Sequence, residues 1–135
     1  MDTDSLAAGP AERFLRRVLL LDIVFEFVIA AALLAAFRPV AGWLDVREPL
    51  VLAGGVVFAV AGLLIWVLVR GPQSERRMMA LAGANVAGGL AGWFVLMAAW
   101  GHFEGEGRWL LGFTADSALL IGVAEFLALR RRAGA

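Results

Sequence analysis

Asp22 and Glu26 stand four residues apart in LLLDIVFEFVIAAALLAAF, the first long apolar run of the chain. On a helix, that spacing puts both carboxyls on one face, about one turn apart. The run from Leu15 to Phe37 supplies the ~20 apolar residues that cross a bilayer. A charge at such depth costs roughly 2.5–3.5 kcal/mol on insertion scales, so acids there turn inward and find company. Asn85 in the third apolar run and Glu125 in the fourth are the other polar groups that could supply it. Taking span midpoints near residues 26, 89 and 119 and a rise of ~1.5 Å per residue, Asp22 and Asn85 fall about 6 Å to one side of the centre. Glu125 falls about 8–9 Å to the same side, and Glu26 lies near the middle.

The chemistry open to Asp22, Glu26, Asn85 and Glu125 is proton exchange or the holding of a cationic ligand. Three carboxylates this close cannot all be ionised without a cation, and no arginine lies in the middle of a span. The competing reading is structural. Arg16, Arg17 or Arg130 then reaches inward to neutralise Asp22 and Glu125, while Asn85 bridges helices. That reading suits Glu125, near the rim, better than Glu26, which is far from any arginine.

Other residue groupings support less. His102, Glu104 and Glu106 lie in a glycine-rich loop, a poor ligand set for a specific metal, and a solvated loop is the better reading. Ser117 beside Asp116 has no histidine or lysine to complete a nucleophile. GANVAGG lies inside an apolar span with no preceding strand, so it is not a phosphate loop. No cysteine is present, which removes disulfides, thiolate metal sites and cysteine nucleophiles. No cofactor, metal or nucleic-acid partner is implied.

The elements that must position these groups are membrane helices. Of 135 residues, 61% are hydrophobic and the mean hydropathy is +0.82, well above a soluble domain. The expected fold is all-α, an antiparallel bundle of four transmembrane helices in a single membrane domain spanning residues 1–135. The spans are placed at 15–37, 50–69, 78–100 and 109–129, with a short interfacial segment at 39–47 carrying Val40, Trp43, Leu44 and Val46. Residues 1–9 read as a frayed polar tail, and RGPQSERR (70–77) as a hairpin loop. The opening ERFLRR resembles the start of a signal peptide, but the apolar stretch is too long and is interrupted by acids, so it reads as a retained helix.

In the third span Ala80, Ala84, Gly88 and Gly92 place a small residue at every fourth position, with Gly83 and Gly89 widening the strip. Such strips let membrane helices approach closely, so this one either centres the bundle or makes a homodimer. Gly54, Gly55 and Gly62 offer the second span the same freedom. Short loops favour packing between sequence neighbours. A faint repeat relates Glu12-Arg13 and Asp22 to Glu75-Arg76 and Asn85, each pair ten residues apart, suggesting two similar hairpins. Asp116 falls on another face of the last helix from Glu125, one that faces lipid, a second copy or the outer surface.

All twelve basic residues are arginine. Nine lie near the N-terminus, the 70–77 loop or the C-terminus, and three lie in the other loops. The positive-inside rule then puts both termini in the cytoplasm of a multi-pass cell-membrane protein. Trp43, Trp100 and Trp109 form the opposite belt.

RRVLLLD (16–22), RPVAGWLDVREPL (38–50), GAN (83–85) and AEFLALRR (124–131) together resemble small, largely uncharacterised four-span membrane proteins of actinobacterial type. The resemblance implies the fold and the membrane location and carries no activity; Glu26 and Asp116 lie outside its pattern. Three functions compete. The first is an interaction or accessory membrane protein, with a homodimer or a membrane partner and a carboxylate-lined patch inside the bundle. The second is a proton- or cation-coupled carrier or small-molecule binder using the intramembrane acids. The third, a lipid- or isoprenoid-modifying enzyme, lacks a second type of catalytic group.

Overall fold

The computed structural model describes residues 9–71 and 74–133, and its regular structure is entirely helical. The tail at residues 1–8 and two residues of the second hairpin loop, 72 and 73, lie outside the described residues, as do 134 and 135. Five helices follow in order: α1 (Pro10–Ala35), α2 (Phe37–Trp43), α3 (Glu48–Arg70), α4 (Glu75–Ala98) and α5 (Gly105–Ala133). All but α2 are long and apolar enough to cross a membrane. The protein is an antiparallel four-helix membrane bundle.

Local chemistry sets the helix ends. Pro10 opens α1 where its missing N–H costs nothing, and Glu12 faces the positive end of the helix. At Ala36 the backbone leaves helical geometry after its N–H bonds the Ala32 carbonyl, and α2 starts at once. The short helix thus begins earlier than the apolar pattern 39–47 suggests, because Pro39 is tolerated within a first turn. Ser74 caps α4, its Oγ accepting from the Arg77 N–H at 3.3 Å. Each long helix also starts before its apolar span, with an acid in its first turn (Glu12, Glu48, Glu75 or Glu106) extending it toward water.

The helices do not close a ring. α1 packs on α3, α4 packs on α5, and α1 joins the two pairs through α5. Among the described residues no Cα of α4 comes within 8 Å of one in α3 or α1. Sequence neighbours α3 and α4 are therefore apart, against the expectation from their short loop. The closest approaches elsewhere explain why. A Cβ on Gly62 would lie 3.1 Å from Glu26 Cβ, and one on Gly55 would lie 2.8 Å from Leu34 Cγ, so α3 is drawn onto α1. On the other side Gly89 of α4 faces the Ala115 carbonyl of α5. Gly54 contributes only ordinary contact with Leu33.

At the end away from the termini, α2 locks the two pairs. Val40 and Ala41 are buried, the Trp43 carbonyl accepts from the Glu104 N–H at 2.9 Å, and Gly107 sits directly against that carbonyl.

Candidate functional site

Asp22, Asn85 and Glu125 meet. Asn85 Nδ2 donates to Asp22 Oδ2 at 2.9 Å and to Glu125 Oε2 at 3.1 Å. One amide from α4 thus ties α1 to α5 across a gap that the α1 and α4 backbones never cross. Asp22 and Glu125 are each 1% exposed, placed there by the inward faces of α1 and α5. Both amide hydrogens are used, so Asn85 has no donor left. Glu125 Oε1 is buried with no hydrogen-bond partner among the described residues.

No arginine enters this knot. Arg16, Arg17 and Arg130 are exposed, and no described residue forms an ion pair with Asp22 or Glu125. Arginines at the same end of the bundle lie over aromatic rings instead: Arg131 at 5.2 Å from Phe14 and Arg70 at 3.7 Å from Trp66. Of the structural reading, the bridging asparagine is present and the inward-reaching arginine is not. A single neutral amide is the one hydrogen-bond donor that the described residues supply to both carboxyls.

Glu26 is set apart. It is 8% exposed, lies one turn from Asp22, and makes no hydrogen bond or ion pair with any described residue. Its carboxyl borders a cleft between α3 and α4, backed by α1 and α5, with a cavity volume of about 920 Å³. The cleft runs from Leu44 and Leu50 near one membrane face to Leu68 and Arg77 near the other. Its walls are otherwise hydrocarbon and aromatic, with Phe25, Phe58, Ala61 and Ile65 on the α1–α3 side. Asn85 shows its remaining edge to the same space.

Ala80, Ala84, Gly88 and Gly92 all line this cleft. Within the chain the strip does not centre the bundle. A Cβ on Gly88 would meet nothing within 4 Å, whereas one on Gly92 would lie 3.0 Å from Ala115 Cβ of α5. The adjoining face, Ala82, Val86 and Gly89, makes the α4–α5 contact, because Gly89 and Gly122 sit opposite one another's helix backbone.

Comparison with protein families, curated sequences and solved structures gave no match.

Asp116, on an exposed face of α5, accepts from Trp93 Nε1 at 2.9 Å. The sequence places Asp116 away from Glu125 but does not reveal this partner; Trp93 reads there as one more apolar residue. Thr114 donates to the Leu110 carbonyl of its own helix at 2.8 Å, so its hydroxyl is occupied. His102, Glu104 and Glu106 are exposed. Phe25, Phe58 and Arg77 are cleft residues that the sequence reading passed over. The recurrence of Phe58, Ala61 and Ile65 along one face of α3 is the signal that could have found that wall.

Proposed function

We propose that this is a small cell-membrane protein that binds an apolar, membrane-dissolved ligand in the α3–α4 cleft. The observation that carries the reading is Glu26, a residue 8% exposed that makes no hydrogen bond or ion pair with any described residue and lines the wall of that cleft. An acid kept inside a membrane bundle at this cost, and not used to pair helices, marks a binding or transport role. A volume of about 920 Å³ matches pockets that take small molecules, typically about 300–1,000 Å³. The Asp22–Asn85–Glu125 knot is the fixed part, holding α4 against α5 and α1 while α3 stands off. The bias of arginine toward one set of loops supports termini in the cytoplasm.

A second reading is favoured by the small-residue strip on the cleft wall. Ala80, Ala84 and Gly88 form a seat of the kind a transmembrane helix uses, whether from a partner protein or from a second copy. This is the accessory-protein reading, and it competes for the same groove.

A neutral photoreactive hydrocarbon carrying a diazirine tests the first reading in native membranes. Mapped adducts concentrated at Ala61, Ile65, Ala84 and Gly88, and lost in Ala84→Phe, are the expected result. Adducts spread evenly over the outer faces of α3, α4 and α5 would overturn it. The chain has no cysteine, so Gly88→Cys is a unique thiol; ready disulfide dimers through it would favour the second-copy reading.

A further inference from the structure

Glu26 specifies a kind of ligand. We infer that the α3–α4 cleft takes lipophilic cations, meaning an apolar body bearing one ammonium, phosphonium or guanidinium charge, with the Glu26 carboxylate as counter-ion. This rests on the cleft reading above. The argument is what faces that carboxyl from each helix. On α1 the nearest ionisable group is Asp22, another acid. On α3 it meets Gly62, and between Glu48 and Arg70 that helix has no charged residue. On α4 the cleft is lined by Asn85, whose two amide hydrogens are committed to Asp22 and Glu125. Arg77 lies eight residues earlier in the same helix, ~12 Å along its axis, at the mouth of the cleft. From α5 the cleft is lined by Leu110, Leu111, Thr114, Ala115 and Ala118, none of them charged, while Glu125 is held in the knot by Asn85.

Glu26 therefore stands beside one acid, Asp22, and hydrocarbon, and among the residues lining the cleft the one cation is Arg77 at its mouth. In such a low-dielectric setting an anionic occupant adds repulsion, and a neutral one leaves the carboxyl unmatched. A cation matches it. Phe25 and Phe58 line the same space, and aromatic faces attract cations further. The remaining walls suit the apolar body, which enters sideways from the bilayer between α3 and α4, whose described residues bring no two Cα atoms within 8 Å.

Tetraphenylphosphonium and tetraphenylborate, ions of one shape and opposite charge, make the test. Equilibrium dialysis on the purified full chain in detergent should show the cation bound at least about tenfold more tightly than the anion. Glu26→Gln should erase that preference, and Glu26→Asp, which keeps the charge, should retain most of it. Equal binding of the two ions, no binding of the cation, or unchanged cation affinity in Glu26→Gln would each overturn the inference. The comparison in the unaltered protein decides alone if the glutamine variant does not fold. The neutral diazirine labelling is independent of charge, so the cleft can stand while its cation preference falls.

Discussion

A side chain on Gly122 of α5 has nowhere to go: its Cβ would lie 2.8 Å from Val86 Cγ2 and 2.9 Å from the Ala82 carbonyl oxygen of α4. Gly89 of α4 returns the contact, its Cβ position lying 2.7 Å from the Ala115 carbonyl oxygen and 2.9 Å from the Leu119 nitrogen. Backbone lies against backbone at both points. That is how a pair of membrane helices gains van der Waals contact without any hydrophobic drive between them.

Gly89→Ala and Gly122→Ala should therefore each destabilise the protein by roughly 1–3 kcal/mol, the usual cost of overpacking. Gly88→Ala, one position along, meets open space and should stay within about 0.5 kcal/mol of the unaltered protein. Thermal unfolding in detergent checks the contrast. Equal sensitivity at Gly88 and Gly89 would mean that α4 is rotated from the orientation described.

Asn85→Ala should be among the most damaging single changes. An interhelical hydrogen bond in a membrane protein averages only about 0.6 kcal/mol, so two lost bonds would be modest. Stranding matters more: Asp22 and Glu125 each lose a donor while buried, at about 1–3 kcal/mol apiece. A loss of roughly 2–5 kcal/mol is expected. In an Asp22→Leu, Glu125→Leu background the same change should cost under about 1 kcal/mol, because no acceptor remains to be stranded. A full-sized cost in that background would show that Asn85 acts through other contacts.

The meeting of Asp22, Asn85 and Glu125 was legible in the sequence because depth is arithmetic: three spans, a fixed rise per residue, and polar groups at one level. The pairing of α1 with α3 and of α4 with α5 agrees with the faint repeat. The open side was not legible. By that repeat, a contact between α3 and α4 would be the counterpart of the one between α1 and α5, yet only the latter is made. Two faces of α4 are lined with small residues, Ala80-Ala84-Gly88 and Ala82-Val86-Gly89, and composition does not choose between them. The choice is made by Gly122 and Ala115 on α5, which leave room for backbone approach at one face only. Arg16, Arg17 and Arg130, expected to reach the knot, stay exposed, and two other arginines at that end show what the rim offers instead. Phe14 and Trp66 offer Arg131 and Arg70 partners at the rim, without drawing a guanidinium into hydrocarbon.

Trp93 and Asp116 should behave as a modest, separable pair. Their hydrogen bond lies on the outside of the α4–α5 contact, far from the cleft acids. Trp93→Phe and Asp116→Ala should each cost about 0.6 kcal/mol and at most about 1.7. The double variant should cost less than the sum of the two. Strict additivity in that double-mutant cycle would mean that the bond does not form in the membrane.

Glu26 gives the sharpest contrast with Asn85. Both are polar and inward-facing, yet one is bonded twice and the other has no hydrogen bond or ion pair with any described residue. A buried polar group without a partner costs stability and persists where function requires it. Glu26→Gln should leave the melting temperature of the detergent-solubilised protein unchanged or raise it, and Glu26→Leu should raise it further, since a leucine removes the unmatched carboxyl. Gly89→Ala serves as the control, because its Cβ would press on α5 backbone, the Ala115 carbonyl oxygen at 2.7 Å, lowering stability whatever stands at the Glu26 carboxyl. A large drop in melting temperature for Glu26→Gln, comparable to that of Asn85→Ala, would make Glu26 a helix-pairing residue and remove the basis for a ligand in the cleft.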